Sequence, residues 1–116
     1  MYIQEATDPI RWNNFVENHT EANCFHLYEW KYCFEKAYGL ETLYFEVCSN
    51  NDIVGILPLT LIGVKGMRSA ISLPFCNYGG PLAVSRETYG LLINEAKYMI
   101  KTRFKGVKGI ELRKIV

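Results

Sequence analysis

At 116 residues, 49% hydrophobic and 14% aromatic, the chain has the length of one domain and enough apolar content for a packed core, which excludes intrinsic disorder. Its formal charge of +1 is scattered rather than clustered, so no nucleic-acid surface is expected. No apolar run approaches the ~20 residues of a membrane-spanning helix, and no basic region leads into an apolar N-terminal stretch, so the chain reads as cytoplasmic.

"MYIQEAT" alternates as a first strand. Thr7 or Asp8 then caps a helix whose first turn accommodates Pro9, because the N–H that proline lacks has no partner there. Trp12, Phe15, Val16 and His19 fall on one helical face. After "HTEANC" a second helix is predicted over 27–38, with Leu27, Trp30, Phe34, Ala37 and Tyr38 on one side and Gly39 in the left-handed C-terminal position. The period then drops to two. "TLYFEVCS" and "IVGILPLTLI", separated by "NND", form an antiparallel hairpin, in which Pro58 marks an edge, a bulge or a bend. "SAISLPF" is a further strand. Ser85 caps a long helix carrying Tyr89, Leu92, Ile93, Ala96, Met99, Ile100 and Phe104, and "GIELRKIV" is a last strand.

The predicted order is β-α-α-β-β-β-α-β: a three-layer α/β sandwich in which helices flank a mostly antiparallel, mixed sheet. The chain stops inside a strand pattern, so the fold is expected to be incomplete and the sequence a piece of a longer protein. An unpaired final strand rich in Ile and Val invites self-association.

Cys24, Cys33, Cys48 and Cys76 form no CxxC pair and no zinc-like spacing with His19 or His26. Each is read as a small thiol buried among apolar neighbours, so neither a metal site nor a disulfide is expected. Neither histidine has a Cys, Ser or Asp pattern that would make a triad, and both are read as structural. Glu5, Glu17 and Glu46 form no carboxylate pair that spacing alone can place, so no catalytic residue is assigned.

The segment "SLPFCNYGGPLA" stands out. Two prolines, two glycines, two aromatics and an amide sit together in what reads as a strand-to-helix corner. Gly79 and Gly80 would let main-chain amides approach a ligand, with Asn77 and Tyr78 adding directional hydrogen bonds; alternatively, prolines and glycines only shape a tight turn.

Four stretches in this order resemble the FemAB-like family of the GNAT acyltransferase superfamily, closest to its exosortase/PEP-CTERM exopolysaccharide-associated branch. They are residues 15–39, "DIVGILPLTLI", "SLPFCNYGGPLA" and "IELR". The resemblance implies two tandem GNAT-like lobes, with the substrate groove between them. It also implies transfer of an aminoacyl or acetyl group from aminoacyl-tRNA or acetyl-CoA onto a cell-wall or exopolysaccharide precursor. This chain would supply the acceptor-side half, bind no cofactor itself and be inactive alone. The substrate-facing residues would be Asn77, Tyr78, Gly79 and Gly80. Lys31 lies nearest the position of a phosphate-contacting basic residue, and Arg113 of "ELR" could clamp a carboxylate or phosphate. Two alternatives stand beside this reading: a non-catalytic interaction module, and a single-domain acetyl-CoA-dependent N-acetyltransferase. In the latter, the corner would grip a pyrophosphate, but Pro81 removes one of the amide donors required.

Overall fold

The computed structural model describes residues 1–22, 24–62, 68–72, 80–103 and 107–111, of which Phe25, Arg68, Ser72, Arg103 and 107–111 are described by main chain only. The elements are β1 (Tyr2–Glu5), α1 (Pro9–Glu17), a 3-10 turn (Cys24–His26), α2 (Glu29–Tyr38), β2 (Glu41–Ser49), β3 (Asp52–Ile62), β4 (Arg68–Ser72), β5 (Leu82–Ala83), α3 (Arg86–Arg103) and β6 (Val107–Glu111). The strands form one sheet in the order β1-β2-β3-β4-β6, with β5 also on β3. Every pairing is antiparallel except β4 with β6, which is parallel. This is the expected mixed sheet between helical layers, with one short strand more than the sequence suggested.

Side chains on a strand alternate between faces. Leu43, Phe45 and Val47 of β2 and Leu57, Leu59 and Leu61 of β3 therefore share one face with Ala70, where they pack against Leu92, Ala96 and Ile100 of α3. Tyr44 and Ile56 point the other way and meet Trp12 and Val16 of α1 and Tyr28 and Phe34 near and on α2. Burial on both faces is why the two central strands read as nearly unbroken apolar runs.

Local chemistry fixes the element ends. Asp8 caps α1, its carboxylate accepting from the N–H groups of Ile10 (3.0 Å) and Arg11 (3.3 Å), and Pro9 opens the helix. Gly39 adopts φ +65°, which lets the Leu40 N–H reach back to the Phe34 carbonyl (3.1 Å) and closes α2. The β2–β3 turn is two residues, Asn50 and Asn51, at φ +52° and +70° with Ser49 facing Asp52. These are the positive angles that suit a tight hairpin, and asparagine tolerates them.

Two features depart from expectation. The face of α2 is narrower than predicted: Phe34 is the residue buried on it, while Ala37 and Tyr38 are exposed. The helix also starts at Glu29, with Leu27 in the preceding turn. Of the cysteines expected to be buried, Cys48 is, Cys33 is half-buried and Cys24 is exposed; Cys76 lies outside the described residues.

Pro58 is not at an outer edge but in the central strand β3, and its position has a clear cause. The Tyr44 carbonyl accepts from the Ala6 N–H at 2.7 Å, so the main-chain groups of Tyr44 face β1. Its cross-strand partner Pro58 then turns its own main-chain groups away from β2. The donor that proline lacks therefore points away from β2, and the β2–β3 ladder loses no bond to it.

Candidate functional site

The strand pairings recast the Gly- and Pro-rich segment. Ser72 lies opposite Leu59 and Leu82 opposite Ile56, so ten residues are spent along the chain while three are crossed on β3. β4 and β5 are thus two stretches that both pair antiparallel along β3. The segment is not a corner between a strand and a helix: the chain returns to the sheet before α3 begins. Asn77, Tyr78 and Gly79 belong to residues 73–79, and Arg113 to 112–116, all outside the described residues.

The point of return is held firmly. Gly80 and Pro81 are buried, and the Gly80 carbonyl accepts from Nε2 of His26 at 2.9 Å. Three residues on, the Ala83 carbonyl accepts from Nε2 of His19 at 3.0 Å. Nδ1 of His19 accepts from the Glu21 N–H at 3.1 Å, so both ring nitrogens of this residue are engaged and the proton sits on Nε2. The His26 carbonyl in turn accepts from the indole N–H of buried Trp12 at 2.7 Å. The two histidines, one just after α1 and one in the 3-10 turn, therefore tie the helical layer to the return segment. That is a structural task, as the sequence suggested.

Gly55 has a related constraint. A Cβ there would lie 3.0 Å from Cγ2 of Thr88 and 3.3 Å from the Leu82 carbonyl, so the close approach of β5 and the first turn of α3 favours glycine. Ser85 caps α3 as predicted, its Oγ accepting from the Thr88 N–H at 3.2 Å.

Lys31 sits elsewhere. Its Nζ pairs with Glu35 Oε2 at 2.7 Å, one helical turn on, and lies 5.9 Å from the ring centres of both Tyr28 and Tyr32. Glu35 also accepts from the hydroxyl of Thr42 on β2. Burial alone would raise the Glu35 carboxyl, but the hydrogen bonds from Lys31 and Thr42 and the charges of Lys31 and Lys36 hold it below the usual carboxylate range. The half-buried ammonium is positioned by the carboxylate and the two rings.

Beneath α2 the sheet carries polar groups that sequence reasoning left unplaced. Glu46, 2% exposed, accepts from Nε2 of Gln4 at 2.8 Å across the β1–β2 ladder. The Tyr28 hydroxyl donates to the Ala6 carbonyl at 3.0 Å. Burial, then the neighbouring Tyr32, Glu35, Glu46 and Glu5, push this phenol up to about 12. Thr60 is fully buried, and its hydroxyl has no hydrogen-bond partner among the described residues. The signal for Glu46 was present in "TLYFEVCS": an acidic residue centred in an apolar strand that lies between two helical layers.

The architecture defines a class: a mixed α/β sandwich in which a helix pair precedes a central hairpin on one face of the sheet and a long helix covers the other. Within it, the structure is similar to the crystal structure of FemX, with a TM-score of 0.63 and 17% sequence identity over 90% of this chain and 25% of FemX. The chain thus spans about a quarter of the length of that protein. No protein-family model and no curated protein matches the sequence.

Proposed function

We propose that this chain is the acceptor-side half of a FemAB-like acyl or aminoacyl transferase acting on a cell-wall or exopolysaccharide precursor. In this reading a second GNAT-like lobe closes the groove and brings the acyl donor, aminoacyl-tRNA or acetyl-CoA, and these 116 residues alone are inactive. The observation that carries the reading is the fold likeness to FemX across nearly the whole chain but only a quarter of FemX. Acyl transfer to an amine needs an aligned donor, a neutral amine and donors for the tetrahedral oxyanion. This half would hold the acceptor: Lys31 and Arg113 at its anionic groups, and Asn77, Tyr78, Gly79 and Gly80 in the segment that precedes β5. Buried Gly80 would contribute by shape, since its carbonyl is committed to His26.

The test has two steps. The coding sequence after codon 116 should encode a second β-α-α-β-β-β-α-β pattern. The two-lobed protein should transfer an aminoacyl group to a nucleotide-linked muropeptide, while the present chain does not. Substituting Asn77 and Tyr78 by Ala in the two-lobed protein should weaken acceptor binding; unchanged binding and turnover would remove both from the site. A stop codon at that point would favour the interaction-module reading. Stabilisation of this chain by about 2.7 kcal/mol with coenzyme A at 100 times its dissociation constant would instead support the single-domain acetyltransferase.

A further inference from the structure

An open groove of about 350 Å³ lies between α1 and the tip of the β2–β3 hairpin, lined by Arg11, Asn14, Phe15, Asn18, Asp52 and Ile53. It is separate from Lys31: Thr42, which holds the Lys31–Glu35 pair, is at the opposite end of β2, roughly 25 Å of strand away. Its volume is within the ~300–1,000 Å³ of small-molecule sites.

The lining has a definite character. Phe15 and Ile53 are half-buried and pack against the core, which makes a fixed apolar floor. The rim is planar and polar. Arg11 is held in place because its Nη2 donates to the Asn51 carbonyl. Nδ2 of Asn18 donates to the Asn14 carbonyl at 2.7 Å, which leaves its Oδ1 and second N–H for an outside partner. The carboxamides of Asn14 and Asn18 are both exposed and stand one helical turn apart, with Cβ atoms about 5–6 Å from each other. That spacing suits hydroxyls on opposite sides of a single sugar ring. One guanidinium and one carboxylate leave the rim without net charge, which disfavours phosphates and polycations. An apolar floor under neutral amide donors and acceptors suits a ligand with a hydrophobic C–H face and hydroxyls at its edge.

We propose that this groove binds a neutral saccharide of one or two rings, its C–H face on Phe15 and Ile53 and its hydroxyls on Asn14, Asn18, Asp52 and Arg11. The site is open to water, so the expected affinity is modest, with a dissociation constant on the order of 1 mM. The inference does not depend on the transferase reading: sugar binding without acyl transfer would sink only the latter.

The test is a magnetic-resonance titration of this chain with glucose, N-acetylglucosamine and their β-linked disaccharides, with glycine and inorganic phosphate as charged probes. Saturable shifts centred on the side-chain amides of Asn14 and Asn18 and on Ile53 are expected. The double substitution Asn14→Ala with Asn18→Ala, at exposed positions, should weaken binding about tenfold while leaving the dispersed spectrum of the fold. Absence of saturation with every sugar, shifts centred elsewhere, unchanged affinity in the double variant, or tighter binding of glycine or phosphate would each overturn the proposal.

Discussion

The two faces of the sheet are built from opposite materials. Toward α3 the buried set is aliphatic and aromatic carbon: Leu43, Phe45, Val47, Leu57, Leu59, Leu61, Leu92 and Ile100. Toward α1 and α2, the same two strands bury Tyr44, Glu46 and Thr60 beneath Trp12, His26, Tyr28 and Phe34. Apolar contacts need no particular partner, whereas each buried polar atom must be matched or costs stability. The α3 face therefore stabilises the fold without directional matching, while the other adds oriented hydrogen-bonding groups to its own apolar contacts.

That contrast can be broken or sharpened by substitution. The largest effect is expected on the apolar face: Phe45→Ala should cost about 3–5 kcal/mol in a denaturant-unfolding experiment. A loss under about 1 kcal/mol would mean the α3 layer is not the stabilising one. Gly55→Val, at the junction of β5 with α3, should cost about 1–3 kcal/mol, because the added carbons meet Thr88 and the Leu82 carbonyl.

Substitutions on the polar face should be smaller and of mixed sign. Tyr28→Phe removes the bond to the Ala6 carbonyl and should cost about 1 kcal/mol near neutral pH. It should also change the alkaline behaviour. The folded phenol is pushed up to about 12, above its ordinary 10.0, so the unfolded chain loses that proton first and stability should fall as pH rises from 10.0 to about 12. The variant should lose that part of the slope, read from unfolding free energies across the window. Thr60→Val replaces a buried hydroxyl without a partner among the described residues and should raise stability by about 1 kcal/mol. A loss of that size would place a hydrogen bond on Thr60. Lys31→Met should change stability least, by about 0.3–0.5 kcal/mol, because half-exposed i,i+4 pairs contribute little. A much larger loss would make Lys31 a structural residue rather than one available to an anion.

How far the sequence foretold this molecule depended on whether a signal was local. The Asp8–Pro9 start of α1, the left-handed Gly39, the Asn50–Asn51 turn and the Ser85 cap are each decided by a few neighbouring residues, and all were legible. The breadth of the α2 face was not, because Tyr38 fits a helical stripe whether or not a neighbour covers it. The return of Leu82 and Ala83 to β3 was hidden for a different reason. A two-residue strand has no periodicity, and its pairing depends on Gly55, nearly thirty residues earlier. Lys31 was singled out from its place after Trp30, and its pairing with Glu35 follows from helical spacing, but the bond from Thr42 to Glu35 comes from the packing of α2 on β2. Glu46 was visible as an acid in an apolar strand, but its match with Gln4 required the β1–β2 register.

Pro58 carries a last consequence. Its missing donor is harmless to the hairpin only while its main-chain groups point away from β2, as they do opposite Tyr44. A slip of β3 by one residue would swing that vacancy onto the β2 ladder and turn the whole strand's side chains to the wrong face. The proline thus acts as a register lock: it penalises the neighbouring misalignment more than any other residue at that place would.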